Sequence, residues 1–497
     1  MIAYGMTLSE FGVWFRARFN RTSSAPIITT FIFSDLLGLM LSFGFGFIWV
    51  EAYGWLILGD SGFINLRSFV TYWPYLPIFI IIFQIIGLYP GISLAPSEEL
   101  RRFGIGSFIA YGGVVISRLI ENQGWDGVNS AFTICVFFSA FILLTVRNIA
   151  HLFLRKIGLK GIPAVVYGSG NTAKLFIDRA RNSTKMGYMP VLILDDEKPG
   201  ATENAKEYNG IPIIHDISIG PEIVKRHNIK MAIVTMDYHD TDKRNLKRLL
   251  SHSVSAFRYH VIIPDFFDNT NIWMSVRDFD GLLGFVTSIK LGMPWNLGIK
   301  RFIDLFVVIL GGLIILPALL LVALLVKLTS SGPVLYGHKR LGREGKPFRA
   351  WKFRSMASDA NERLEELLES NPDIKKEWEE SHKLKNDPRI TKLGKFLRRT
   401  SIDEFPQLIN ILKGDMSLVG PRPITEAEVE KYGENFEWIF SVRPGLSGLW
   451  QVSGRSETDY AARVSYDTYY LRSWSVWLDI WVIYKTFGAV VHGKGAY

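Results

Sequence analysis

Two adjacent carboxylates, Asp403 and Glu404, lie in LRRTSIDEFPQLINIL, inside the unusually cationic block of residues 385–423. Carboxylates surrounded by dense positive charge, close to an apolar run, suit a site that handles phosphates. Arg398 and Arg399 precede the pair directly, and Arg422 is held between Pro421 and Pro423 in GDMSLVGPRP. In VRPGLSGLWQVSGR, Arg443 and Arg455 flank glycine turns whose N–H groups can cradle an anion. HKRLGREGKPFRAWKFRSM adds Arg340, Lys352 and Arg354. Arginine grips phosphate oxygens in a two-pronged fork, so these eight cations are the candidate phosphate-binding residues. On spacing alone the acids have an ordinary alternative, because the first turn of any helix favours them.

The elements around the pair explain how it would be held. Thr400 or Ser401 is placed to cap a helix whose apolar members are Phe405, Leu408, Ile409 and Leu412. Upstream, Phe302 to Val326 is apolar enough to cross a bilayer, yet Lys300 and Arg301 precede it while Lys327, Lys339 and Arg340 follow. With both flanks basic, the positive-inside rule gives no direction. Pro317 in the middle removes a backbone hydrogen bond and should bend the helix, so we expect a reentrant helix that enters and leaves on one face. An ordinary kinked span is the alternative. Near the C-terminus, Trp474, Trp477, Trp481 and Tyr484 recur at helical steps and predict an interfacial aromatic face, with filling of a core as the alternative. The charged stretch 358–383 reads as solvated helix.

The whole chain of 497 residues carries a formal charge of +9 and is 48% hydrophobic. Basic charge combined with apolar runs points to the cytoplasmic face of a membrane rather than to nucleic acid. A single cysteine, Cys135, excludes a disulfide framework or a cysteine-based zinc site within the chain. Apolar runs at 27–50, 73–89, 105–120 and 131–146 predict a four-helix transmembrane bundle within residues 1–150, with Asp35 and Arg118 as awkward members. Arginines and lysines cluster before the first run, between the second and third, and after the fourth, so both ends of the bundle should be cytoplasmic. No cleaved signal peptide is expected at the start. Residues 151–265 alternate strand and helix and predict a small Rossmann-like parallel module. Its Gly168–Ala173 turn and Asp195 or Asp196 fit the dinucleotide fingerprint, though the same glycines serve a plain strand-to-helix turn. Residues 266–296 read as a connector.

From about residue 297 onward the chain resembles the bacterial sugar transferases, the monotopic polyprenyl-phosphate hexose-1-phosphate transferases. The motifs that carry this are WKFRSM, KNDPRITKLGKFLRRTSIDEFPQL, KGDMSLVGPRP, VRPGLSGLWQVSGR and YDTYYLRSWSVWLDIWVIYKT. The four runs and the α/β module resemble the large subgroup, typified by undecaprenyl-phosphate galactose phosphotransferase. The resemblance implies a mostly helical catalytic domain over 297–497, with interfacial amphipathic helices. It also implies transfer of a hexose-1-phosphate, galactose first and glucose next, from a UDP-sugar to undecaprenyl phosphate. Asp403 would be the nucleophile, Glu404 its partner, and Mg2+ a cofactor held by Asp403 and Glu404. The step would begin O-antigen or another surface polysaccharide at the bacterial inner membrane, with the catalytic domain cytoplasmic and a homodimer as an expected assembly. From another class, a membrane scaffold of polysaccharide export binding nucleotide through the α/β module is the rival reading. A transporter is disfavoured, since few ionisable residues lie in the spans.

Overall fold

The computed structural model describes residues 25–58, 70–89, 94–121, 124–157, 161–182, 187–195, 207–227, 229–236, 256–264, 274–279, 282–287, 290–330, 332–356, 387–453 and 460–491, with a few positions between 360 and 370. Two compact units divide the chain, Met1–Asp268 and Asn269–Tyr497. The stretch 358–383 lies almost wholly outside the described residues.

The first unit opens with helices α1 (Ala25–Leu58), α2 (Leu76–Ile85), α3 (Pro96–Ile120) and α4 (Gly127–Lys156). Helices α1, α3 and α4 contain segments long and apolar enough to cross a membrane, Pro26–Gly54, Pro96–Ile120 and Gly127–Leu154. The second apolar run forms a shorter helical stretch, Trp73–Ile85. Proline stands in the first turns of its 3-10 and α segments, and Gly87, at φ +81°, turns the chain beyond its end. Gly106 lets the short helix seat closely, since a Cβ there would fall 2.6 Å from the Phe83 ring. The two awkward ionisable residues are paired. Asp35 accepts hydrogen bonds from Arg147 at 2.9 Å and Tyr89 at 2.6 Å, and Arg147 also reaches Glu99 at 3.1 Å. Arg118 pairs with Asp126 at 2.5 Å and bonds Asn129 at 3.0 Å. Charges inside an apolar bundle persist when compensated in this way.

After the helices comes an α/β module. Strands β1 (Ile162–Tyr167), β2 (Tyr188–Leu194), β3 (Glu207–Tyr208), β4 (Ile211–Ile214), β5 (Met231–Met236) and β6 (Tyr259–Pro264) form one sheet in the order β3-β4-β2-β1-β5-β6. All neighbours pair in parallel except β3 with β4. Helices α5 (Asn171–Asn182) and α6 (Gly220–His227) accompany it. At the glycine turn, Gly168 has φ +100°, and a Cβ there would meet Thr235 Oγ1 at 2.6 Å, so close approach to β5 demands glycine. The Ser169 hydroxyl bonds the Asp195 carboxylate across this turn. Asp196 and residues 237–255 of the expected α/β module lie outside the described residues.

In the second unit the stretch read as a connector includes an antiparallel hairpin, β7 (Met274–Phe279) with β8 (Leu282–Thr287). Helix α7 (Pro294–Thr329) follows, then the hairpin β9 (Leu335–Leu341) and β10 (Pro347–Phe353). Next come α8 (Lys392–Arg399), a 3-10 helix Ile402–Gln407 and α9 (Leu408–Lys413). Strand β11 (Ser417–Val419), α10 (Asn435–Ile439), β12 (Gly445–Ser447), α11 (Leu449–Ser453), α12 (Tyr460–Ser473) and α13 (Val476–Val491) complete it. Helix α7 is exposed and apolar around Leu313, Ile314, Leu320 and Leu321, and among its residues Lys300, Asp304, Val308 and Val326 are buried. Such a surface belongs in lipid.

Of the four aromatic residues expected at an interface, Trp474 is buried in a core, while Trp477, Trp481 and Tyr484 are half-buried. Trp474 is 3% exposed, its indole N–H donates to Asp479 at 3.2 Å, and it packs with Leu478 and Val482 while Trp481 covers the same core. A buried carboxylate on that side of α13 explains the inward position of Trp474. Asp479 also accepts from Tyr470 at 2.6 Å and Lys300 at 2.7 Å, drawing polar partners and their rings inward.

Candidate active site

Asp403 and Glu404 occupy the first turn of the 3-10 helix Ile402–Gln407. That helix is not capped in the expected way. Ser401 takes the left-handed conformation, φ 57° and ψ 17°, and makes no side-chain cap, while the Thr400 hydroxyl bonds back to Phe396 O at 2.9 Å. The reason lies in the preceding helix, whose C-terminal carbonyls attract the threonine and force a sharp reversal through Ser401. A left-handed non-glycine residue directly before the dyad is a small store of strain, of order 1–3 kcal/mol. A side-chain cap stands one helix earlier, where the Thr391 hydroxyl accepts from Gly394 N at 2.9 Å at the start of α8. At Gly394 a Cβ would lie 2.0 Å from Ser355 O, so only glycine lets α8 lie against the chain leaving β10.

The β9–β10 hairpin delivers the cations. Arg340 is opposite Phe348 and Lys352 opposite Tyr336 in antiparallel register, which places Arg340 and Lys352 on one face. Lys352 Nζ is 2.5 Å from Glu404 Oε1 and 4.0 Å from Asp403 Oδ2. Asn410 locks this hairpin to α9, accepting from Trp351 N at 3.1 Å and donating to Arg349 O at 2.8 Å and Asp415 at 3.1 Å.

Burial pushes the Asp403 carboxyl up to about 6, Lys352 pulls it down, the neighbouring Glu404 raises it and Arg398 lowers it. For Glu404 burial also acts upward, but Lys352, Arg422 and Arg340 outweigh it and hold the group below its ordinary value. One carboxyl therefore titrates near neutrality while its neighbour stays anionic.

Among the expected phosphate-binding residues, Lys352, Arg340, Arg422 and Arg398 act on the dyad. Arg398 is steadied by a 2.8 Å bond to Ser355 Oγ. Others are placed elsewhere. Arg399 is exposed and forms no ion pair with the carboxylates. Arg354 donates to Ser330 O at 2.8 Å, at the end of α7. Arg443 donates to Gly414 O at 2.7 Å, just past the C-terminus of α9, where Arg301 also bonds Ile411 O at 2.6 Å. Arg455 lies outside the described residues. Sequence reasoning missed Asn410, Glu428, Arg463 and Asp467. The last two are four residues apart in YAARVSYDTYY, a helical-face spacing that could have flagged them. Among the described residues no group of three or more His, Cys, Asp or Glu side chains forms a metal-ligating cluster.

Comparison with known proteins assigns two regions of the chain to families. Residues 295–493 match the model of the bacterial sugar transferases, and residues 67–255 that of a CoA-binding domain. The undecaprenyl-phosphate galactose phosphotransferase of Salmonella typhimurium is 34% identical over 76% of this chain and 78% of its own length. The chain belongs to the bacterial sugar transferase family. It is accordingly an enzyme, a sugar phosphotransferase, and with its long apolar helices a membrane protein; the scaffold reading is set aside as its role. The UDP-glucose:undecaprenyl-phosphate glucose-1-phosphate transferase of Escherichia coli is 33% identical, covering 69% of this chain and 71% of that protein. The exopolysaccharide production protein ExoY of Rhizobium meliloti is 45% identical over 198 residues, 40% of this chain but 88% of that protein.

Proposed function

We propose that this sugar transferase moves a hexose-1-phosphate from a UDP-sugar to undecaprenyl phosphate, giving undecaprenyl-diphosphate-sugar and UMP. The observation that carries the reading is Asp403, 7% exposed, beside an anionic Glu404 and the Lys352 ammonium. An oxygen of the ionised Asp403 attacks the phosphorus that bears the sugar, and the bond from that phosphorus to the bridging oxygen breaks. UMP leaves with the electron pair. An oxygen of the lipid phosphate then attacks the same phosphorus and frees the carboxylate. Neither step needs a strong general acid or base, because UMP leaves readily and the lipid phosphate arrives ionised. What the reaction needs is stabilisation of shifting negative charge, and Lys352, Arg340 and Arg422 are arranged for it.

The two carboxylates also fit Mg2+, provided substrate oxygens and water fill most of its shell, because Lys352 already holds one oxygen of Glu404. In this reading Asp403 and Glu404 would hold the ion, and it would supply charge neutralisation at the diphosphate. Galactose is the first choice of sugar, since the Salmonella relative is named for it, and glucose follows from the Escherichia coli relative.

A reentrant α7 would set the dyad at headgroup depth, where the lipid phosphate lies. Both parts of the helix seat on neighbouring elements of one unit. Val308 packs with Ile411 and Met416, while Val326 packs with Phe353 and Leu397 in a cluster that Ile402 joins. Pro317 lies between these two contacts, the position where a bend would fall. The proposed function is tested by measuring UMP release from a panel of UDP-sugars with and without undecaprenyl phosphate. Asp403→Asn should lose transfer by at least about a thousandfold, and wild-type enzyme without acceptor should gain the mass of a phosphohexose on Asp403. Wild-type transfer by Asp403→Asn would rule the mechanism out.

A further inference from the structure

Next to the dyad lies a cationic cluster whose charges and hydrogen bonds are incompletely matched. Burial pushes the Arg340 guanidinium below its usual range, and the charges of Arg422 and Arg463 push it further. Among the described residues the carboxylate in ion-pair range of Arg340 and Arg463 is Glu428, at 3.4 Å and 3.7 Å, and its tighter bonds go to Thr425 N at 2.7 Å and the Thr425 hydroxyl at 3.0 Å. Arg463, 9% exposed, is held chiefly by rings. Its guanidinium carbon lies 5.0 Å from the centroid of Trp450, 5.0 Å from Tyr460 and 5.8 Å from Tyr432. Arg422 lies over the same Trp450 ring at 5.4 Å.

Around this stack several buried polar atoms have no hydrogen-bond partner among the described residues: Arg463 Nε and Nη2, Trp450 Nε1, the Tyr460 hydroxyl and Asp467 Oδ1. The other oxygen of Asp467 accepts from Tyr432 at 3.0 Å. Unpaired buried groups are costly, and so many in one place indicate a site awaiting a polar occupant. The vacant groups comprise N–H donors on the cationic side, a carboxylate acceptor behind them, and aromatic faces. A phosphate joined to a nucleoside meets all three, offering oxygens to the guanidinium, hydroxyl or imide hydrogens to the carboxylate, and a flat ring to the aromatics.

We propose that Arg463 and Trp450, backed by Asp467, bind the nucleoside monophosphate half of the donor, the part that leaves as UMP. This rests on the transfer reaction above and assigns its leaving-group site. A phosphate that takes Nη1 and Nη2 of Arg463 together replaces the loose contact to Glu428 with two short bonds, and Arg340 and Arg422 connect that phosphate to the dyad.

The test uses the full-length protein in detergent, with UMP as the titrated probe in calorimetry and the KM values for UDP-sugar and undecaprenyl phosphate measured separately. Arg463→Gln should weaken UMP at least tenfold and raise the KM for UDP-sugar, with the KM for the lipid unchanged within twofold. Arg463→Lys should recover part of the loss. Trp450→Phe keeps the ring but removes the N–H donor, and should weaken UMP severalfold without lowering the melting temperature. It carries the test if Arg463→Gln does not fold. Unchanged UMP affinity in folded variants overturns the assignment, as does an equal rise in the KM for both substrates. Wild-type protein that binds UMP through Arg463 but transfers from no UDP-sugar would instead refute the reaction and leave the pocket standing.

Discussion

At Asp403 burial opposes ionisation, and the carboxyl sits at about 6 although Lys352 and Arg398 favour its charged form. A nucleophile must be ionised, so UMP release in the absence of lipid should fall tenfold per pH unit below about 6 and level off above it. A pH profile of the single-turnover burst checks this. The same shift has a cost for folding. Because the native state binds this proton more tightly than the unfolded chain, whose Asp titrates near 3.8, stability falls as pH rises between those values and the penalty is complete above about 6. Asp403→Asn should therefore be more stable than wild type at pH 7.5, by up to about 3 kcal/mol, with the difference fading toward pH 4. Denaturant unfolding at the two pH values measures it. Glu404 stays anionic for the opposite reason, since three cations outweigh its burial.

Among the elements, α7 is secured where it leaves the catalytic core. Lys300 Nζ meets Asp479 at 2.7 Å, and Asp304 accepts from Ser417 Oγ at 2.6 Å and Leu418 N at 3.2 Å. Asp479→Ala would leave Lys300 buried without its closest counter-charge and should destabilise the second unit by about 3–5 kcal/mol. Chemical denaturation followed by tryptophan fluorescence reads the loss. The reentrant geometry is tested at the same scale. Lys346, whose side chain is 78% exposed beyond β9, offers a probe site once Cys135 is replaced by serine. A Lys346→Cys thiol should react with an impermeant maleimide only after the cytoplasmic face is opened, and labelling in intact spheroplasts would mean that α7 crosses.

For the whole molecule the comparisons separate the catalytic part from the rest. A match of 198 residues covers 88% of the ExoY relative, a length close to the region 295–493 that carries the family signature. A truncated chain beginning at Asn269, the first residue of the second unit, should therefore retain UMP release within about tenfold of full length. An inactive but folded truncation would assign the first unit a direct part in the reaction.

The residues alone were enough to locate the chemistry. A carboxylate pair amid arginines and a proline-bearing apolar helix are local patterns, and so are the βα alternation and the Gly168 turn. Four of the eight cations expected at phosphate, Arg340, Lys352, Arg398 and Arg422, prove to act on the dyad, while Arg354 and Arg443 bond to backbone carbonyls at helix ends. Charge and spacing do not distinguish these roles, because both place arginine near a turn. Folding also decided that Trp474 faces a core and that Arg463, some sixty residues from the dyad, joins its cations. Those outcomes depend on which buried carboxylate each side chain meets, a long-range pairing that exists only once the helices have packed.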